Sequence, residues 1–220
     1  PSSYTARTRS NPGIRITAHD GQDMNRTPLL HLASTSPRRR EILVSLGLEF
    51  TVVPVDVDET PRDGETPAEM VLRLAVAKAE AARVPQDDVV IGSDTAVVVD
   101  GRALGKPMDR DDCLAMLESL AGRAHTVLTG VALSGPHGAL SAMSETQVRF
   151  RDIDRDEMLA YWQSGEPRDK AGAYAIQGLG GAFVERIAGS YSGVVGLPVF
   201  ETAGLLEAVG IDILAPHDDL

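Results

Sequence analysis

Three arginines in a row close the segment Leu32-Ala33-Ser34-Thr35-Ser36-Pro37-Arg38-Arg39-Arg40. Pro37 suits the first position of a helix and Ser36 suits its N-cap. The arginines then fall in an opening turn that already carries the partial positive charge of the helix dipole. Such crowding becomes favourable when an anion joins it, held by free backbone N–H groups, the hydroxyls of Ser34 and Ser36 and one or more of the arginines. A solvated basic turn is the ordinary alternative. Gly92-Ser93-Asp94-Thr95 ends the apolar run Val89-Val90-Ile91, and in α/β sheets ligands lie in the crevice beyond strand ends. A carboxylate at Asp94 could hold a divalent cation or take a proton from an attacking water, the two needs of phosphoanhydride hydrolysis. It could also be a turn aspartate bonded to its own backbone.

Five further positions could serve the same chemistry. Lys78 shares a helical stripe with Val71, Leu74 and Ala75, so its ammonium either snorkels to water or enters a cleft. Lys106, in Gly105-Lys106-Pro107, either reaches back to phosphate or faces solvent. Asp58 and Glu59 are adjacent carboxylates that could coordinate Mg²⁺ through oxygen, although acidic loops are usually just solvated. Gln177 sits in the glycine-rich run from Lys170 to Gly181. Its amide offers a donor and an acceptor, which suits the edge of uracil or thymine.

The formal charge of -11 argues against a sequence-independent grip on nucleic acid. An anionic ligand would need a local basic pocket. The histidines His19, His31, His125, His137 and His217 are scattered, and HExxH and CxxC are absent, so a hard, oxygen-bound cation is favoured over zinc. The single cysteine, Cys113, cannot form an internal disulfide and reads as a small buried hydrophobe. A reducing, cytoplasmic setting is expected. The apolar runs fall short of the roughly 20 residues that cross a bilayer, so no membrane association is expected.

These residues need elements to position them. Leu29 to Ala33 reads as a strand, followed by a loop and a helix from Pro37 closed by Gly47. Phe50 to Val57 alternates like a strand. Thr66-Pro67-Ala68-Glu69 is a capping box opening a helix that reaches about Arg83. Val89 to Ile91 is a buried strand, and Asp100-Gly101 is a hairpin turn. Asp109 to Leu120 is a helix stopped by Gly122. His125 to Leu133 and Leu140 to Phe150 pair around Gly135-Pro136-His137-Gly138. Asp154 to Gln163 is a capped helix, and after the glycine-rich stretch Gly172 to Gly196 a last helix begins near Pro198. Hairpins without strict βαβ alternation predict an α/β fold: a mixed twisted sheet flanked by helices, with two lobes around a central cleft. Residues 1–28, with Arg7, Arg9, Arg15 and Arg26 among polar residues, read as a flexible extension. Residues 29–212 form the folded domain and 213–220 a tail.

Four motifs in order, LASTSPRR, GSDT with a following GKP, KAGAYAIQG and GSYSGVVGLP, resemble the Maf family across residues 29–209. The resemblance implies a nucleotide pyrophosphatase with a fold related to the inosine triphosphate pyrophosphatases, acting as a homodimer, with Asp94 as catalytic acid/base. Arg38, Thr95 and Gln177 match the branch acting on dTTP and UTP; the branch acting on 7-methyl-GTP has an aromatic residue, glutamine and glutamate there. A positively charged methylguanine would favour a stacking ring and a carboxylate. Ala96 and Gly193 depart from the family pattern. The mechanism expected from this resemblance has Mg²⁺ or Mn²⁺ bound at Asp94 and Glu59. Ser34, Ser36, Arg38, Arg39, Lys78 and Lys106 surround the triphosphate, and a water oriented by Asp94 attacks the α-phosphorus. Two other readings stay open: a regulator of septum formation that binds nucleotide without turnover, and a 7-methyl-GTP pyrophosphatase.

Overall fold

Residues 28–136 and 138–214 are described in the computed structural model. The expectations for residues 1–27, for His137 and for the tail beyond 214 lie outside the described residues.

The β-branched residues that follow Asp94 carry the strand begun at Val89 through to Val99, giving the 11-residue β3 (Val89–Val99). The sequence reading ended that strand at Ile91. The structure corrects it: Asp94 lies in mid-strand, opposite Gly130 in an antiparallel ladder that runs from Val90↔Ser134 to Val98↔Thr126. The partner is β5 (Ala124–Gly135), which forms a long hairpin with β6 (Gly138–Phe150). β1 (Leu30–Leu32) runs parallel to β3 on its other side and to β2 (Thr51–Val52). β4 (Arg102–Leu104) folds back on β3, and β7 (Val184–Ala188) adds to β6. The result is one seven-stranded mixed sheet in the order β2-β1-β3-β5-β6-β7, with β4 on β3.

Among the described residues six α-helices flank it: α1 (Pro37–Ser45), α2 (Pro67–Ala81), α3 (Arg110–Leu120), α4 (Arg155–Gln163), α5 (Tyr191–Val195) and α6 (Val199–Ala208). The Thr66 capping box forms as expected, and α4 has a second one between Asp154 and Glu157. α2 lays Val71, Leu74, Ala75 and Ala79 across the sheet. It comes so close that a Cβ on Gly92 would lie 2.2 Å from the Ala75 carbonyl oxygen. The expected strand from Phe50 to Val57 is cut to two residues. Val53 N–H still reaches Leu32 O (2.9 Å), but Pro54 has no N–H to continue the ladder. The glycine-rich stretch Gly172 to Gly196 holds β7 and α5.

The two halves of β3 serve different cores. Val89 and Ile91 pack with Leu43 of α1 and Leu206 of α6, whereas Val97 and Val99 pack with Cys113 of α3, Met158 of α4 and Phe150. Asp94 and Thr95 fall between these two lobes, where a cleft opens.

Candidate active site

Ten of the eleven residues nominated from the sequence, Ser34, Ser36, Arg38, Arg39, Glu59, Lys78, Asp94, Thr95, Lys106 and Gln177, line this one cleft of about 650 Å³. They arrive on six parts of the scaffold: α1 and its preceding loop, the segment before α2, α2 itself, β3, the loop after β4, and the turn before β7. Asp58 does not join them. Its carboxylate accepts the N–H of Thr60 at 2.9 Å, an ordinary acidic turn, so the adjacent pair of acids is split and Glu59 alone faces inward.

At the floor, β3 presents Asp94 toward α2, whose Lys78 projects from the buried stripe. Lys78 Nζ donates to Asp94 Oδ1 at 2.7 Å and sits 2.5 Å from Glu59 Oε1. The Asp94 and Lys78 side chains are only 13% and 12% exposed. Burial raises the Asp94 pKa above its usual value, against the opposing pull of Lys78 and Arg39. Burial acts upward on Glu59 as well, but the hydrogen bond and charge of Lys78 outweigh it, and the net shift is downward. One carboxylate is thereby made a better proton acceptor while its neighbour stays ionised. Two carboxylates gathered about one cationic atom form a donor set that a hard divalent cation can share, drawing its other ligands from water and phosphate. No group of three or more His, Cys, Asp or Glu that could hold a metal ion occurs among the described residues.

The first turn of α1 has no acidic residue, and Ser36 makes no side-chain capping bond. Its N–H groups are thus open to an anion. Arg39 folds across the cleft: Nε donates to Gly196 O (2.9 Å), one terminal nitrogen to Ser34 Oγ (3.2 Å) and the other to Thr95 Oγ1 (3.5 Å). Burial pulls its pKa down, with Asp94 opposing. Ser93 Oγ also lies 2.9 Å from Gly196 O. Three of the four sequence motifs are tied together through these contacts, so Arg39 organises the site as well as charging it. Arg38 is freer, 3.9 Å from Asp169.

Sequence reasoning missed three cleft residues. Lys170 opens the third motif and is paired with Asp169; both line the cleft, as does Tyr174. A lysine followed by alanine and glycine was the available signal for Lys170. Nothing local marked Asp169. Gln177 is exposed on the cleft rim, on a turn closed by Gly178 N–H to Ala175 O (3.1 Å). Of the departing positions, Ala96 is buried beneath α2 and lines the cleft, while Gly193 lies under Ser190 and Ser144.

Comparison with known proteins gives this cleft a context. The family model described as Maf-like protein matches residues 29–209. A dTTP/UTP pyrophosphatase of Hahella chejuensis is 53% identical over 188 residues, covering 84% of this chain and 94% of that protein. One of Methylobacillus flagellatus is 49% identical over 199 residues, covering 89% and 100%. Among solved structures, the Staphylococcus aureus Ham1 protein is similar over 56% of this chain and 72% of that one, at 20% identity and a TM-score of 0.41. With the four motifs folded onto a single cleft and the family match spanning nearly all of the described residues, the chain belongs to the Maf-like protein family.

Proposed function

We propose that this chain hydrolyses dTTP and UTP to the nucleoside monophosphate and pyrophosphate. The observation that carries the reading is the meeting of a buried, proton-hungry carboxylate, Asp94, with a cationic wall in one cleft. Relatives about half identical to the chain bear the name of that activity. The triphosphate enters with its phosphates against the open N–H groups of α1, Ser34, Ser36, Arg38, Lys78 and Lys106, and its base toward Thr95 and Gln177. Asp94 accepts a proton from a water as that water attacks the α-phosphorus. The bond to the bridging oxygen breaks and pyrophosphate departs. Asp94 and Glu59 would hold Mg²⁺ or Mn²⁺, which when bound supplies charge neutralisation on the phosphate oxygens. Lys78, which holds both carboxylates here, would then be left to meet the phosphates. Arg39 fixes Ser34 and Thr95 for the substrate.

The same reading includes a homodimer in the cytoplasm; light scattering and cell fractionation test these two points. No helix among the described residues is long and apolar enough to cross a membrane. Pyrophosphate release from a panel of nucleotides, with and without each metal, tests the activity. Asp94→Asn should cut turnover at least about a thousandfold while leaving the fold intact. Near-normal turnover of that variant, or no release from any nucleotide, ends the reading. Binding without turnover would favour the regulator, and preference for 7-methyl-GTP the other branch.

A further inference from the structure

The turn that carries Gln177 is gripped on both flanks by one relay that none of the sequence motifs includes. Tyr161, buried on α4, donates its hydroxyl hydrogen to Glu166 Oε1 at 2.8 Å and accepts the N–H of Ala175 at 3.1 Å. Glu166 completes the grip from the other side. Its Oε2 accepts the N–H of Leu179 at 2.9 Å and its Oε1 that of Gly180 at 3.0 Å. The backbone is thus held two residues before Gln177 and two and three residues after it.

The glycines of this stretch fit the relay closely. A Cβ on Gly178 would lie 2.2 Å from Glu166 Oε2, and one on Gly180 would lie 2.6 Å from the Tyr161 hydroxyl. These two positions must lack side chains for the carboxylate and the phenol to reach the chain. Among the described residues Glu166 has no ion pair within 4 Å. Burial acts upward on its pKa, yet the two N–H groups and the phenol outweigh it and the net shift is downward. It is an ionised carboxylate whose partners are the loop's own N–H groups and one phenol. Burial and the Glu166 charge both push the Tyr161 pKa upward, so the hydroxyl keeps the proton that the relay needs.

We propose that Tyr161 and Glu166 are positioning residues for base recognition: they fix the Ala175–Gly180 turn so that the Gln177 amide meets the pyrimidine edge at a set distance. The inference rests on the reading of Gln177 as a base-facing residue and deepens it. A hydrogen-bonding site recognises its ligand only while donor and acceptor are held within a few tenths of an ångström of good geometry. Gln177 itself has no side-chain bond among the described residues that would hold it, so the precision must come from the backbone beneath it.

Calorimetric binding of UMP and of ribose 5-phosphate to the full chain separates the base-dependent part of affinity from the phosphate-dependent part. Tyr161→Phe removes both hydroxyl bonds at nearly constant volume, and Glu166→Gln keeps the shape while replacing one acceptor with a donor. In either variant UMP affinity should fall on the order of tenfold, toward that of ribose 5-phosphate. Ribose 5-phosphate affinity should change less than about twofold, and with UTP the loss should appear in KM rather than kcat. Equal losses for both ligands, or no loss for UMP in a folded variant, overturn the proposal. If Tyr161→Phe does not fold, Glu166→Gln decides alone. Wild-type protein that binds UMP no better than ribose 5-phosphate also overturns it. Wild-type protein that prefers UMP but releases no pyrophosphate would end the enzymatic reading while the clamp is still judged by its binding ratio.

Discussion

Replacing Lys78 with methionine removes the one cation that stands between two carboxylates, and the cost can be worked out from its surroundings. Nζ lies 2.7 Å from Asp94 Oδ1, and both side chains are nearly enclosed. Breaking a buried pair by deleting one partner costs about 3–5 kcal/mol because the other charge is stranded. Glu59 is more than half exposed and can be rehydrated, which argues for the lower end, about 3 kcal/mol. Asp94 has a way out through protonation. A carboxyl whose pKa is higher in the folded than in the unfolded chain holds more protons when folded. Its stability contribution is complete below the unfolded value and is lost as pH rises through the folded value. Asp94 is already such a group, and losing Lys78 raises it further. The penalty relative to wild type should therefore be greatest at alkaline pH, where the stranded carboxylate is ionised, and shrink as pH falls toward the ordinary carboxylate range near about pH 4, by no more than about 1.4 kcal/mol per pH unit. Urea unfolding across that range measures it directly. A loss that does not change with pH, or one below about 1 kcal/mol near about pH 8, would refute the view that Lys78 holds a charged, desolvated Asp94.

Two other substitutions probe the scaffold. His125 is buried against Phe150 and Tyr174, and burial brings its pKa from 6.5 down to about 4; the folded chain should lose up to about 3 kcal/mol as pH falls from 6.5 through about 4, and His125→Asn should flatten that slope in acid-unfolding curves even if it lowers stability overall. Gly92→Ala should push α2 away from the sheet at a cost of about 1–3 kcal/mol, lowering the melting temperature by about 2–4 °C for each kcal/mol, because its Cβ would meet Ala75 O at 2.2 Å. An unchanged melting temperature would mean that α2 does not pack as tightly as drawn.

Local signals in the chain were enough to place most elements. The Thr66 capping box, the Gly47 stop and the pairing of Gly135 with Gly138 each act within a few residues, and each appears near where the spacing puts it. That ten of the eleven nominated residues share one cleft was also legible, because motif residues were read together with their order along the chain. What stayed hidden depends on partners far apart in sequence. The ladder that carries β3 through Asp94 needs β5, some 36 residues away at Gly130, and a run of Gly-Ser-Asp-Thr looks like a turn until that partner is present. The bond from Arg39 to Gly196 spans 157 positions. Glu166 bonds to N–H groups 13 and 14 residues on, and no side-chain periodicity announces a backbone contact. Asp58 and Glu59 look alike in sequence, yet the Thr60 N–H turns one of them outward.

The charge inside the cleft bears on what it accepts. The chain as a whole is acidic, at -11, but the cleft is lined by five cationic side chains, Arg38, Arg39, Lys78, Lys106 and Lys170, against three carboxylates, Glu59, Asp94 and Asp169. That local excess is too small to balance a free triphosphate. It comes close to balancing one whose charge has been reduced by a divalent cation, which is the form that the Asp94 and Glu59 pair would favour. Asp169 offers a test, since it holds both Lys170 and Arg38 at the cleft wall while staying well exposed. Burial acts upward on its pKa but Lys170 outweighs it, leaving it ionised. Asp169→Asn frees two cations for phosphate, so the KM for UTP should fall about two- to fivefold, the range expected for an exposed pair. The gain should be greatest at low ionic strength and fade as the screening length drops to about 8 Å near 0.15 M salt. An unchanged or higher KM at low salt would mean that Asp169 restrains neither cation, and that the balance of charge in the cleft is set by Asp94 and Glu59 alone.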